Sequence, residues 1–116
     1  MTKKILLLDD DHELVWLVTT LLKLEGHQVL GLPDGLGSLQ DVLTAEKPDS
    51  LLLDLFLGDR NGLEIIREIR SAGGAPHLQI IVVSGMDQRA ESLAAGADAF
   101  LLKPFMPDEL LELLGK

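Results

Sequence analysis

A chain of 116 residues with 19 acidic and 10 basic side chains carries a net charge of -9 and has no cysteine. That size gives one globular domain, the missing cysteine excludes disulfides, thiol chemistry and thiolate metal sites, and the charge repels nucleic-acid backbones and anionic lipid, so neither nucleic acid nor membrane is an expected partner. Apolar residues make up 47% of the chain but the only aromatics are Trp16, Phe56, Phe100 and Phe105, so the core is aliphatic.

The opening MTKKILLLDDDHE holds an apolar run too short for a signal peptide or a membrane span, and a soluble cytoplasmic location is the expectation. Lys4 to Leu8 is a continuous apolar run, as in a strand buried on both faces of a parallel sheet, and it stops at Asp9-Asp10-Asp11. From His12 to Glu25 the residues Leu14, Leu17, Val18, Leu21 and Leu22 follow helical spacing, with Asp11 as the cap and Gly26 as the stop. Gln28 to Leu32 reads as a second strand, Pro33-Asp34-Gly35 as a turn, and Ser38 to Glu46 as a helix with Leu39, Val42 and Leu43 apolar.

The third strand, Ser50 to Leu53, ends abruptly on Asp54, after which the chain turns Gly-, Asp- and Asn-rich up to Gly62. Gly62 to Ser71 is predicted as a helix with Leu63, Ile66 and Ile69 inward, stopped by Gly73-Gly74. Gln79 to Val83 is a β-branched fourth strand, followed by Ser84, Gly85 and an alanine-rich helix over Asp87 to Ala95. Ala99 to Leu102 is a fifth strand ending at Lys103-Pro104, and Pro107 to Leu114 a final helix with proline in its first turn.

Strands alternating with helices at this spacing build βαβ units and a parallel sheet covered on both faces. In such sheets ligands bind beyond the carboxyl ends of the strands. The polar residues that close the strands are Asp9 and Asp10, Asp54, Ser84 and Lys103, so they are expected to meet there. Three carboxylates in one cleft raise one another's pKa unless a cation intervenes, and oxygen ligands without His or Cys favour Mg²⁺. Each residue alone has a plainer reading: Asp54 as a cap or turn residue, Ser84-Gly85 as a turn, Lys103 as a surface lysine, Phe100 as core. Asp11 reads as a cap, and Trp16, His12, His27 and His77 as surface or packing residues.

An acidic pair after strand one, Asp after strand three, Ser or Thr after strand four and Lys-Pro-Phe after strand five together resemble the receiver domain of two-component response regulators. The resemblance spans Lys4 to Leu114. It implies a single doubly wound (βα)5 domain, flavodoxin-like, with strand order 2-1-3-4-5, and a signalling switch rather than an enzyme. By the same resemblance Asp54 is the phosphoacceptor, taking a phosphoryl group from a sensor histidine kinase or a histidine phosphotransfer protein. Asp10 and Asp54 then ligate Mg²⁺, the Phe56 backbone carbonyl completes the protein ligands and Asp9 acts through water. Lys103 contacts the phosphoryl oxygens. Ser84 moves to hydrogen-bond them, letting Phe100 turn inward and remodel the face of helix four, strand five and helix five for an effector domain or a homodimer partner. The Lys103-Pro104 bond is cis by the same comparison.

The chain departs from the family pattern at Gly58, where proline is usual, at Asn61, where Asp is common, and at Gly85, Ser84 and Phe100, which stand for Ala, Thr and Tyr. A haloacid-dehalogenase phosphatase would need a second Asp where Phe56 stands, a P-loop NTPase would need GxxxxGK[ST], and a flavodoxin would need hydroxyls where strand one ends in acids. The competing class is a receiver-like interaction module that works without phosphate.

Overall fold

The computed structural model describes residues 2–31, 39–57, 60–73 and 75–115. In chain order the elements are β1 (Lys4–Leu8), α1 (His12–Leu24), β2 (Gln28–Gly31), α2 (Leu39–Glu46), β3 (Ser50–Asp54), β4 (Phe56–Leu57), β5 (Arg60–Asn61), α3 (Gly62–Ala72), β6 (Gln79–Ser84), α4 (Arg89–Ala95), β7 (Ala99–Leu102) and α5 (Pro107–Leu114). The main sheet is parallel with order β2-β1-β3-β6-β7. This is the expected flavodoxin-like 2-1-3-4-5 order, with the short β4 and β5 inserted in the count. The turn expected at Pro33-Asp34-Gly35 and the loop residue Gly58 lie outside the described residues.

The apolar runs are strands because both of their faces are covered. Alternate residues Leu6, Leu8, Leu51, Leu53, Ile80 and Val82 face a core with Leu39 and Leu43 of α2, Ile65, Ile66 and Ile69 of α3 and Ala95 of α4. The intervening Ile5, Leu7, Leu52, Ile81, Val83 and Leu101 face a second core with Val18 and Leu22 of α1 and Leu110 and Leu114 of α5. A period-two pattern with both sets apolar leaves no polar face, which is the signature of a parallel sheet between helical layers.

Local chemistry sets the helix ends. The Asp11 carboxylate accepts from the Glu13 and Leu14 amides and so caps α1, and Gly26 follows with φ of +91°. Asn61 Oδ1 accepts from the Leu63 amide to cap α3, and Gly73, left-handed at φ of +71°, ends it. Some boundaries differ from expectation. α4 begins at Arg89 rather than Asp87, because the Asp87 side chain instead accepts from the Arg89 amide at 3.3 Å in a local turn. Leu17, placed on the inward stripe of α1, is 51% exposed, whereas Ile65, outside the predicted inward set, is buried. The antiparallel ribbon of β4 with β5, pairing Phe56 with Asn61 and Leu57 with Arg60, was read from sequence as loop.

Candidate phosphoacceptor cleft

Parallel pairing brings the strand ends to one edge. Leu8 pairs with Leu53, Asp54 with Val83 and Ser84 with Leu102, so Asp9, Asp54, Ser84 and Lys103 emerge side by side from four adjacent strands. Asp9 is 2% exposed, Asp54 8% and Ser84 fully buried, while Asp10 is exposed. One carboxylate oxygen from each of Asp9, Asp10 and Asp54 lies within 4.8 Å of the others. All three are hard oxygen donors without a nitrogen or sulfur ligand, a set that suits a hard divalent cation.

Each of these groups is held by the chain. Asp9 Oδ1 accepts from the Asp11 amide at 2.9 Å, and Asp9 Oδ2 accepts from Lys103 Nζ at 2.9 Å. The Lys103 ammonium also lies 3.5 Å from Asp54 Oδ2, while Asp54 Oδ1 accepts from the Phe56 amide at 3.1 Å. Lysine spans the distance that a shorter side chain on β7 could not. The Lys103 amide donates to the Ser84 carbonyl at 2.7 Å, tying the start of the loop to β6, and the Lys103-Pro104 bond is cis. The Ser84 hydroxyl accepts from the Met86 amide at 3.2 Å.

Electrostatics follow from these contacts. Burial pushes the Asp54 carboxyl above its ordinary value. The Phe56 amide pulls it down, the Asp9 charge and hydrogen bond push it up, Lys103 pulls it down, and the net direction is upward. Burial by itself would lower the Lys103 ammonium, but the hydrogen bond and charge of Asp9, followed by those of Asp54, outweigh it and the net direction is upward. A carboxylate held partly out of water beside a second acid, with one lysine to offset them, is short of positive charge and so suits a bound cation.

Asp9, Asp10, Asp54 and Lys103, expected to meet beyond the strand ends, do so. Ser84 ends the adjacent strand, and Phe56, two residues after Asp54, has its amide on the carboxylate and its side chain 49% exposed. Phe100 is 4% exposed and already turned into the core, whereas the resemblance implies that it turns inward only once Ser84 has moved; the Arg89 guanidinium carbon lies 5.3 Å from its ring centroid. The Arg89 contact was not foreseen, because it depends on α4 packing over β7 and no local spacing encodes it. Beside the cleft, a cavity of about 680 Å³ is lined by Asp11, Leu14, Leu17, Leu21, Phe105 and Pro107, among others.

Residues 5–115 match the family model of the response regulator receiver domain. The chain is 34% identical over 111 residues to the DNA-binding response regulator MtrA of Mycobacterium tuberculosis (strain ATCC 25618 / H37Rv), across 96% of this chain and 48% of that protein. It is 37% identical over 114 residues to the response regulator MprA of Mycobacterium bovis (strain BCG / Pasteur 1173P2), with the same coverage of 96% and 48%. The chain thus spans about half the length of the curated relatives it matches. Among solved structures, the signal receiver domain from Bermanella marisrubri superimposes with a TM-score of 0.87 at 33% identity, covering 99% of this chain and 97% of that one. The CheY-like receiver domain protein from Methanospirillum hungatei JF-1 gives 0.87 at 30% identity, with 99% and 92% covered. No helix among the described residues is long and apolar enough to cross a membrane. From the strand order, the acidic edge and a family match over almost the full length, the chain belongs to the response regulator receiver domain family.

Proposed function

We propose that this receiver domain is a phosphorelay switch in which Asp54 accepts a phosphoryl group from the phosphohistidine of a sensor histidine kinase or a histidine phosphotransfer protein. The observation that carries the proposal is the convergence of Asp54, Asp9, Asp10 and Lys103 at one sheet edge, with Lys103 2.9 Å from Asp9 and 3.5 Å from Asp54.

In the transfer a carboxylate oxygen of Asp54 forms a bond to phosphorus as the P–N bond to the donor imidazole breaks, and the electron pair leaves with the imidazole. The Phe56 amide fixes the carboxylate by holding Oδ1, so the group does not have to be ordered during the reaction. Lys103 supplies positive charge to the phosphoryl oxygens. Asp10, Asp54 and the Phe56 carbonyl would hold Mg²⁺, with Asp9 bound through water. The ion, when bound, offsets the charge that develops on the phosphoryl oxygens. The phosphoryl group is lost by hydrolysis: water attacks phosphorus, the Asp54 O–P bond breaks with its electron pair returning to the carboxylate, and phosphate leaves with the water proton released to solvent, so the groups that support transfer would also support the domain's own dephosphorylation.

The new phosphoryl group carries about -1.5 to -2 charge, and because the Asp54 carboxylate gives up its own charge in forming the P–O bond, the site gains about one negative charge or less. Ser84 answers it by donating its hydroxyl, which accepts from the Met86 amide. Phe100 lies on the neighbouring strand, and with it the face of α4, β7 and α5 carries the signal to an effector domain or a homodimer partner. The net charge of -9 makes nucleic acid contact by this domain itself unfavourable.

Incubation with Mg²⁺ and acetyl phosphate, followed by intact-mass spectrometry, tests the proposal. The wild type is expected to gain the mass of one phosphoryl group and Asp54→Asn to gain none. An unmodified wild type under every donor would replace the proposal with a phosphate-independent interaction module.

A further inference from the structure

Gly62 stands outside the cleft, yet its backbone is pressed against the chain that carries Asp54. A β-carbon built at Gly62 would lie 2.6 Å from Leu55 Cα, 3.0 Å from the Asp54 carbonyl oxygen and 3.0 Å from Leu55 Cδ2. The first two are backbone atoms, so no side-chain rotation relieves the approach. The requirement is one of space, because Gly62 is not among the residues with positive φ. The Gly62 amide donates to the Leu55 carbonyl at 2.8 Å, closing a loop whose interior is the ribbon of Phe56–Leu57 with Arg60–Asn61.

Two anchors meet at this contact. On one side Gly62 is the first residue of α3, fixed by the Asn61 cap and by Ile65, Ile66 and Ile69, each no more than 2% exposed. On the other side Leu55 joins Asp54 to Phe56, whose amide holds Asp54 Oδ1 at 3.1 Å and whose carbonyl is a proposed metal ligand. A helix packed by three isoleucines yields less readily than a ribbon whose strands are two residues long. An added methyl group therefore displaces Leu55 and Phe56 rather than α3.

We infer that Gly62 is a positioning residue for the phosphoacceptor: its lack of a side chain lets α3 clamp the Leu55–Phe56 backbone, and so sets the Phe56 amide and carbonyl relative to the Asp54 carboxylate. The inference rests on the proposed phosphoacceptor reading of the cleft and extends it to a residue that touches neither the metal ion nor the phosphoryl group. It also separates Gly62 from Gly115, where a β-carbon would meet only ordinary contacts of 3.5 and 3.6 Å.

The test is Mg²⁺ titration of the full chain, read from amide chemical shifts in the absence of any phosphodonor, for wild type, Gly62→Ala and Gly115→Ala, with the thermal unfolding of each measured alongside. Gly62→Ala is expected to weaken Mg²⁺ binding about 10-fold or more, the scale found when a residue supporting metal ligands is altered, while Gly115→Ala binds as wild type. A merely structural role would lower the unfolding midpoint of Gly62→Ala and leave the affinity of its folded form unchanged, and that result overturns the inference. Should Gly62→Ala not fold, hydrogen exchange of the wild type decides: a Mg²⁺-dependent slowing at the Gly62 amide larger than at the core amides of β1 supports the clamp, and a slowing no larger than theirs, which general stabilisation by the ion would give, overturns it. A wild type that shows no Mg²⁺-dependent shifts defeats the underlying metal-site reading instead.

Discussion

Lys103 and Asp9 form an ion pair of 2.9 Å in which the carboxylate side chain is 2% exposed and the lysine side chain 24%. Asp9 is also hydrogen-bonded by the Asp11 amide, so the cleft is pre-paired: the cation that would meet a phosphoryl group is held between two of the acids that would meet a metal ion. Removing one partner of such a pair leaves the other charge buried and uncompensated.

Lys103→Met is therefore expected to destabilise the metal-free protein by about 1–3 kcal/mol. This is below the ~3–5 kcal/mol seen for wholly buried pairs, because part of the lysine meets water. Added Mg²⁺ should recover more stability in the variant than in the wild type, since it then compensates three acids with no lysine among them. Urea unfolding with EDTA and with Mg²⁺ measures both differences. A variant as stable as wild type in EDTA would show that the pair contributes nothing.

A second contact lies on the face proposed to carry the signal. Phe100 is almost wholly buried, and the Arg89 guanidinium carbon sits 5.3 Å from its ring centroid, within the range for cation–π attraction. Arg89 is exposed, so its stem and charge cover an aromatic that would otherwise border solvent. Arg89→Ala should cost roughly 0.5–1 kcal/mol, and Arg89→Lys less, because it keeps a cation over the ring. Equilibrium unfolding of the two variants, with Phe100 ring-proton shifts as the local probe, decides the matter. Ring shifts that stay at wild-type values in Arg89→Ala would rule the contact out.

Asp9 and Lys103 were legible because each ends an apolar run, and in a parallel sheet strand ends share an edge; the topology then does the work of bringing residues 94 positions apart together. Phe100 was legible as a strand residue for the same reason. Arg89 was not, since its partner is set by the angle at which a seven-residue helix crosses the sheet. The β4–β5 ribbon escaped as well, since two-residue strands have no periodicity; Gly62 reads only as the start of a helix until the Leu55 contact shows why glycine is needed there. Leu17 follows the apolar spacing of α1 but borders the cavity beside Phe105 rather than the core. Periodicity finds the apolar stripe of a helix and does not say how wide the neighbouring layer is.

The raised pKa of Asp54, the proposed phosphoacceptor, makes it a destabilising residue at neutral pH in the absence of metal. Burial is the first cause, and the charge and hydrogen bond of Asp9 add to it, against the Phe56 amide and Lys103. The sign follows from linkage. A folded-state pKa above the unfolded value means that the native state binds the proton more tightly, so the contribution to stability is fully present below the ordinary carboxylate value of 3.8 and is lost as pH rises through the raised value. Asp54→Asn removes the charge and keeps an oxygen for the Phe56 amide. In EDTA it is expected to be more stable than wild type at neutral pH, with the advantage shrinking as pH falls through the raised Asp54 value and gone below the ordinary one. The Lys103 pairing does not obscure this window: its raised pKa gives stability that is present below the ordinary lysine value and lost only as pH climbs through the raised one. Urea midpoints for both proteins from acid to neutral pH measure the difference. An advantage that grew on acidification would mean that the folded protein holds Asp54 with a lowered pKa, and would reverse the account of the cleft as a site short of positive charge.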